Sequence, residues 1–130
     1  MFVDSSALVA MLLPEPDGPD FASHLHGRRE AYTSSIAIFE TALALRRLRS
    51  VPLSEIVYMV EQFLPMAGIK VVDIEADEYV GALSAFEIYG KGSGNPAQLN
   101  MGDCFAYAAA KRLGVPLLYK GNDFSQTDLA

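Results

Sequence analysis

The first thirteen residues, MFVDSSALVAMLL, decide the fold. Met1 to Val3 is a short apolar run that stops at Asp4. Ser5 and Ser6 follow, and the chain is apolar again from Ala7 to Leu13 until Pro14 and Pro16. That is the pattern of a strand, a tight turn and a helix closed by proline. The same alternation recurs downstream. Asp17 to Leu25 reads as a short helix, and Ala31 to Thr33 as a second strand. Ser34 or Ser35 then caps a helix from Ile36 to Arg49. Leu53 to Met66 carries Ile56, Val57, Val60, Phe63 and Leu64 at helical spacing and ends at Gly68. Ile69 to Val72 is β-branched and short, a third strand, after which Asp73 or Glu75 opens a helix reaching Tyr89. Gly90 to Pro96 is a loop. Gly102 to Leu113 is an alanine-rich helix stopped by Gly114, Val115 to Tyr119 is the fourth strand, and Gly121 to Phe124 is a turn. Strands alternating with helices four times predict an α/β fold with a parallel sheet. The length, 130 residues, suits a single domain over residues 1–130.

Composition narrows the function classes. The chain is 51% apolar and 20% charged, a globular balance. One cysteine, Cys104, excludes a disulfide framework and thiolate-rich zinc sites. No apolar run reaches the roughly 18 residues needed to span a bilayer. The opening carboxylate, Asp4, stands where an export signal needs basic residues, so a cytoplasmic, soluble protein is expected. Net charge is −6, from 16 acids and 10 bases. That argues against coating nucleic acid through a global field, but leaves room for a local grip. Mean hydropathy is +0.19, somewhat apolar, which fits a surface covered by a partner.

Four acids need a reason. Side chains just past the carboxyl ends of parallel strands converge on one crevice; Asp4 follows the first strand and Asp123 the fourth. Glu40 lies mid-helix with Ile36, Ala37, Leu43 and Ala44 at three and four residues, so no base pairs with it within the helix. Asp103 has Leu99, Asn100, Ala106 and Tyr107 at those spacings and stands near a helix start, where the macrodipole favours an anion. Ordinary roles remain open for three of them: a helix cap for Asp4, a first-turn acid for Asp103, a turn residue for Asp123. Together they read as one acidic cluster. Crowded carboxylates repel by about 4 kcal/mol per pair at 4 Å and an effective dielectric near 20. A hard divalent cation relieves that, and oxygen-only ligands select Mg²⁺ or Mn²⁺. The chemistry inferred is metal-dependent phosphodiester hydrolysis.

Four segments carry a family likeness: residues 1–10 around Asp4, Ser34 to Glu40, Leu99 to Ala108 around Asp103, and Pro116 to Asp128 around Asp123. They resemble a PIN-domain protein, and more closely a VapC-type toxin of a type II toxin–antitoxin pair. The resemblance runs over essentially the whole chain. It implies a three-layer α/β/α sandwich with a short parallel central sheet, and a Mg²⁺-dependent endoribonuclease, with Mn²⁺ as a substitute. The family's acidic quartet falls on Asp4, Glu40, Asp103 and Asp123. The resemblance implies Asp4 and Asp103 as the direct metal ligands, with Glu40 and Asp123 completing the pocket through waters or a second metal. The family's hydroxyl near the site falls on Ser5 or Ser6, and Asn122 is a further auxiliary residue. A cognate antitoxin is implied as partner, with a helix in an apolar groove between the early helices, and so is a homodimer. The chain departs from the family at its tail, which stops at Ala130 and leaves no room for a long closing strand.

Other features weigh less. Arg46, Arg47 and Arg49 follow Glu40 by about two helical turns. Arg46 and Arg47, with Lys91 and Lys120, are candidates to grip RNA phosphates, against the plainer reading of a helix end that favours cations. Arg28-Arg29 and Lys111-Arg112 read as solvated surface. His24 and His26, two apart on a helix, point in different directions and do not share a metal. The ridge of Ile56, Val60, Phe63 and Leu64 is core, and the resemblance adds a share in a homodimer contact. Two rival readings stand: a receiver-like phospho-accepting Mg²⁺-binding domain, with Asp73 and Lys120 in suggestive places, and a non-catalytic PIN-like binding partner.

Overall fold

The computed structural model describes residues 1–27 and 30–130; Arg28 and Arg29 lie outside the described residues. The elements run β1 (Phe2–Val3), α1 (Ser5–Leu12), α2 (Gly18–Leu25), β2 (Ala31–Ser34), α3 (Ser35–Arg49), α4 (Leu53–Met66), β3 (Ile69–Val72), α5 (Glu78–Tyr89), α6 (Met101–Leu113) and β4 (Leu117–Leu118). The four strands form one parallel sheet in the order β3-β2-β1-β4.

Alternation along β1 shows why the fold has three layers. Successive strand side chains point to opposite faces. Val3 joins one apolar cluster with Leu8, Leu45, Ile56, Val60, Leu64 and Ile69, drawn from α1, α3, α4 and β3. Phe2 joins the other, with Ala82, Ala85, Leu99, Leu117, Phe124 and the alanines of α6. Both β1 side chains are fully buried. Small residues bring α5 and α6 close: a Cβ on Gly81 would stand 3.3 Å from that of Ala108.

The α/β/α sandwich with a short parallel sheet is as expected, and several boundaries differ. The helix expected from Asp73 or Glu75 begins only at Glu78. Arg112 explains the delay, since its Nη2 donates to the Asp73 carbonyl at 3.1 Å and its Nε to Glu78 Oε2 at 2.8 Å, holding residues 73–77 as a connection. Lys111 and Arg112 are exposed, as expected, and Arg112 is in addition the partner of the buried Glu78. Lys111 is likewise engaged, with Asp128. The fourth strand is Leu117–Leu118 alone, because β1 offers only Phe2 and Val3 to pair with. Ser34, not Ser35, caps α3, its Oγ accepting from the Ala37 N–H at 3.2 Å. Ile56, Val60 and Leu64 are buried in the core and have no surface to give a dimer. Residues 121–130 form turns without a strand. Among the described residues no helix is long and apolar enough to cross a membrane.

Candidate metal centre

Parallel strands place the ends of β1 and β4 side by side, and the site grows from there. Asp4 follows β1, with its N–H bonded to the Leu118 carbonyl at 2.9 Å. It is also the N-cap of α1, a role that engages one of its two carboxylate oxygens. Oδ2 accepts from the Ser6 N–H at 3.0 Å and from Ser6 Oγ at 2.6 Å. Oδ1 is buried and has no hydrogen-bond partner among the described residues. Such an orphaned acceptor costs about 1–3 kcal/mol, and more when charged. Burial pushes the Asp4 carboxyl above its ordinary pKa, the Ser6 bonds oppose this, and the charge of Asp123 adds to the rise.

Ser6 has a second task. Its Oγ accepts from the Lys120 N–H at 2.9 Å, tying the Asp4 turn to the turn after β4. Ser5 is the looser hydroxyl: its Oγ donates to Glu40 Oε1 at 3.4 Å, the long limit of a hydrogen bond.

Glu40 comes from the second turn of α3 and is half-buried. Its carboxyl is pushed up to about 7, chiefly by burial, then by the charges of Asp4 and Asp103. Asp103 comes from the first turn of α6, where a capping box holds it. Asn100 Oδ1 accepts from the Asp103 N–H at 2.9 Å, and Asp103 Oδ2 accepts from the Asn100 N–H at 3.0 Å. Burial raises Asp103 to about 6; Asp4 and Asp123 add to the rise, while the Asn100 bond and the Lys91 charge pull it down. Asp123 is exposed, in the turn after β4, and its charge bears on both Asp4 and Asp103. The four acids are therefore linked by their charges, Glu40 to Asp4 and Asp103, and both of these to Asp123.

The auxiliary and cationic residues divide. Lys91 stands close enough to Asp103 for its charge to be felt there. Arg46 and Arg47 are exposed in the last turn of α3, roughly 10 Å along the axis from Glu40. Lys120 turns its ammonium away, onto Glu15 and Asp17 of the α1–α2 connection. Asn122 is exposed, and its backbone carbonyl accepts from Ser125. His24, in the last turn of α2, and His26, its C-cap, are exposed, and Cys104 is buried.

One residue of the site went unremarked among the sequence expectations. Gly102 sits so close to Glu40 that a Cβ there would fall 2.0 Å from Oε2. The only local sign is a glycine directly before Asp103 at a helix start, a position where glycine has no capping use.

The chemistry of the donor set suits a hard divalent cation. The facing groups are oxygens only, and one of them, Asp4 Oδ1, is buried and unpaired. Among the described residues no three Asp, Glu, His or Cys side chains already close to ligand distance.

Comparison with known proteins identifies the family and the fold. A PIN-domain family model matches residues 1–129. The chain is 42% identical to a VapC ribonuclease of Rhizobium meliloti (strain 1021), over 98% of both chains. It is 39% identical to ribonuclease VapC30 of Mycobacterium tuberculosis (strain ATCC 25618 / H37Rv), over 100% of this chain and 96% of that one. Among solved structures, Mycobacterium tuberculosis VapC20, a sarcin–ricin loop cleaving toxin, superposes with a TM-score of 0.74 over 95% of this chain and 92% of that one. The two are 18% identical, a likeness of fold. These matches leave no room for the receiver-like reading; in keeping with that, Lys120 pairs with Glu15 and Asp17, and Asp73 offers Arg112 its backbone carbonyl. With the family's model spanning nearly every residue and full-length relatives near 40% identity, the chain belongs to the PIN-domain family, among its VapC-type members.

Proposed function

We propose that the protein is a metal-dependent endoribonuclease, the toxin of a type II toxin–antitoxin pair, acting in the cytoplasm on RNA phosphodiester bonds. The observation that carries this reading is the buried, unpartnered Asp4 Oδ1 in a crevice shared with Glu40, Asp103 and Asp123. A non-catalytic protein gains nothing from holding such groups together, since each raises the ionisation cost of the next.

Asp4 and Asp103 are the residues to hold Mg²⁺, or Mn²⁺ in its place. When bound, the ion supplies a lowered water pKa and stabilises charge on the phosphoryl oxygens. The chain's own residues do the rest. Ser6 occupies Asp4 Oδ2, so that the buried, unpartnered Oδ1 is the oxygen left to take an ion. Asn100 fixes Asp103 in the same way through Oδ2. Glu40, with a carboxyl raised to about 7, accepts or returns a proton near neutral pH and orients the attacking water. Asp123 closes the crevice from the β4 side. Lys91, and more remotely Arg46 and Arg47, meet phosphates of the RNA strand; Lys120 joins them only by leaving Glu15 and Asp17.

Two partners belong to the reading. The antitoxin takes the apolar groove of about 610 Å³ between α1, α2 and the end of α4, lined by Met11, Pro19, Leu25, Phe63 and Met66. A second copy of the chain covers the apolar face of α5 and the start of α6, where Leu83, Phe86 and Met101 are exposed.

The test is cleavage of a mixed RNA substrate by partner-free protein. Cutting with Mg²⁺, none with EDTA and recovery on adding excess Mg²⁺ is the expected result; cutting that ignores EDTA contradicts it.

A further inference from the structure

The most unusual contacts outside the four carboxylates join α6 to the last residues of the chain. Asp103, Tyr107 and Lys111 succeed one another at four-residue steps along α6 and so share one stripe of its surface. At one end of the stripe is the acidic crevice. Further along it, Asp128 Oδ1 accepts from the Tyr107 hydroxyl at 2.6 Å and Oδ2 from Lys111 Nζ at 2.5 Å. The ammonium also lies 5.6 Å from the centre of the Tyr107 ring, which packs against Tyr89.

The segment so fastened carries Asp123. Three of the four acids have a local hold: Asp4 from Ser6, Glu40 from Ser5, and Asp103 from Asn100. Asp123 has none, for no hydrogen bond from a described residue reaches its exposed carboxylate. Its place is inherited from residues 121–130, which have no helix or strand to fix them. Phe124, 1% exposed, buries the stem against Tyr119. Thr127 donates back to the Phe124 carbonyl at 2.8 Å. Thr127 is itself buried and Leu129 packs against the apolar cluster around Phe2, so the segment is seated at both residues, and the side chain between them, Asp128, sets its orientation; a segment less well ordered must be ordered afresh each time the site assembles.

We propose that Tyr107, Lys111 and Asp128 form a latch that positions Asp123 opposite Asp103. The three are positioning residues; none faces the reacting atoms. An exposed ion pair alone contributes little to stability. A carboxylate that accepts a phenol on one oxygen and an ammonium on the other is fixed in orientation as well as in place. The latch therefore acts on how well the site is pre-formed more than on whether the protein folds. The inference rests on the metal-dependent reading of the site.

The test uses the full chain as wild type, Asp128→Asn, Tyr107→Phe and Asp123→Asn, with Mn²⁺ as the probe. Mn²⁺ binding is read by electron paramagnetic resonance, the Mg²⁺ dependence by RNA cleavage, and folding by thermal melting. The latch predicts that D128N and Y107F weaken Mn²⁺ binding about tenfold, in the direction of D123N, as for residues that orient metal-binding carboxylates. Their melting temperatures stay near wild type, and the cleavage rate recovers at saturating Mg²⁺. Asp128→Glu, which keeps charge and both acceptors, restores most of the affinity. Should D128N fail to fold, Y107F decides, since it keeps the ring packing and removes only the hydroxyl. Unchanged Mn²⁺ affinity in D128N and Y107F, with D123N weakened, overturns the latch and leaves the metal centre standing. Unchanged affinity in D123N overturns it by removing Asp123 from the site. Absence of Mn²⁺ binding in the wild type overturns the metal reading, and the latch with it.

Discussion

The carboxylate of Glu40 occupies the space that any side chain on Gly102 would need: a Cβ there would meet Oε2 at 2.0 Å and Oε1 at 2.4 Å. A glycine in the first turn of α6 thus lets an acid from α3 reach the crevice. Because the clashing atoms are the end of a flexible side chain and not backbone, Gly102→Ala moves Glu40 aside without breaking the fold. The variant is expected to lose RNA cleavage by about a hundredfold or more, the scale of a displaced proton-transfer group. Its melting temperature should hold or rise, since alanine gains up to about 1 kcal/mol over glycine within a helix. Parallel kinetics and melting curves check this; an active G102A contradicts the role given to Glu40.

Ser6 and Ser5 are separable by the same approach. Ser6 touches both Asp4 and the Lys120 backbone, at 2.6 and 2.9 Å, whereas Ser5 reaches Glu40 only at 3.4 Å. Ser6→Ala is expected to cut activity about tenfold or more and to weaken metal binding, as loss of a partner orienting a ligand does. Ser5→Ala should change activity by less. Metal titrations of the two variants decide, and an S5A defect larger than that of S6A contradicts the assignment.

The pH dependence of stability has a definite sign. Glu40 is raised to about 7 and Asp103 to about 6 in the folded chain, above their ordinary values. A raised acid binds its proton more tightly when folded, so its stabilising contribution is complete at low pH and is lost as pH rises through 6 to 7. In EDTA, the melting temperature of the wild type should therefore rise as pH is lowered from about 8 to about 5.5. Glu40→Gln should be the more stable protein at the alkaline end and show a shallower slope. Melts across this range test the claim; a wild type that only loses stability on acidification refutes it.

Among the basic residues, Lys91 and Lys120 part company. Lys91 bears on Asp103, while the Lys120 ammonium is held by Glu15 and Asp17. Lys91→Met is expected to raise the KM for RNA and to reduce the slope of log affinity against log salt by about one. Lys120→Met should lower thermal stability and leave that slope nearly unchanged. Binding isotherms at several salt concentrations separate the two.

Much of this architecture is legible in the sequence because its signals are local. Asp4 following Met1–Val3, a serine at 34 or 35 as a cap and Gly114 closing α6 each announce an element end from a few neighbouring residues. Glu40 stands out for a local reason too, as a mid-helix acid without a base in reach. What escapes is contact between residues far apart in the chain. The late start of α5 depends on Arg112, some forty residues on. The value of Gly102 depends on Glu40, and the ordering of Asp123 on Tyr107 and Lys111. None of these pairs is marked by spacing or by composition, since folding alone brings them together.

The claim that the four carboxylates form one metal-holding, RNA-cutting centre is tested most directly by matched preparations of wild type, Asp103→Asn and Asp20→Asn, the last an exposed acid on α2. Each is assayed for Mn²⁺ binding and for Mg²⁺-dependent RNA cleavage. D103N is expected to lose cleavage by about a hundredfold or more and to bind Mn²⁺ weakly, while D20N matches the wild type in both. D103N cutting RNA as fast as the wild type, in the same buffer and after the same purification, would contradict it.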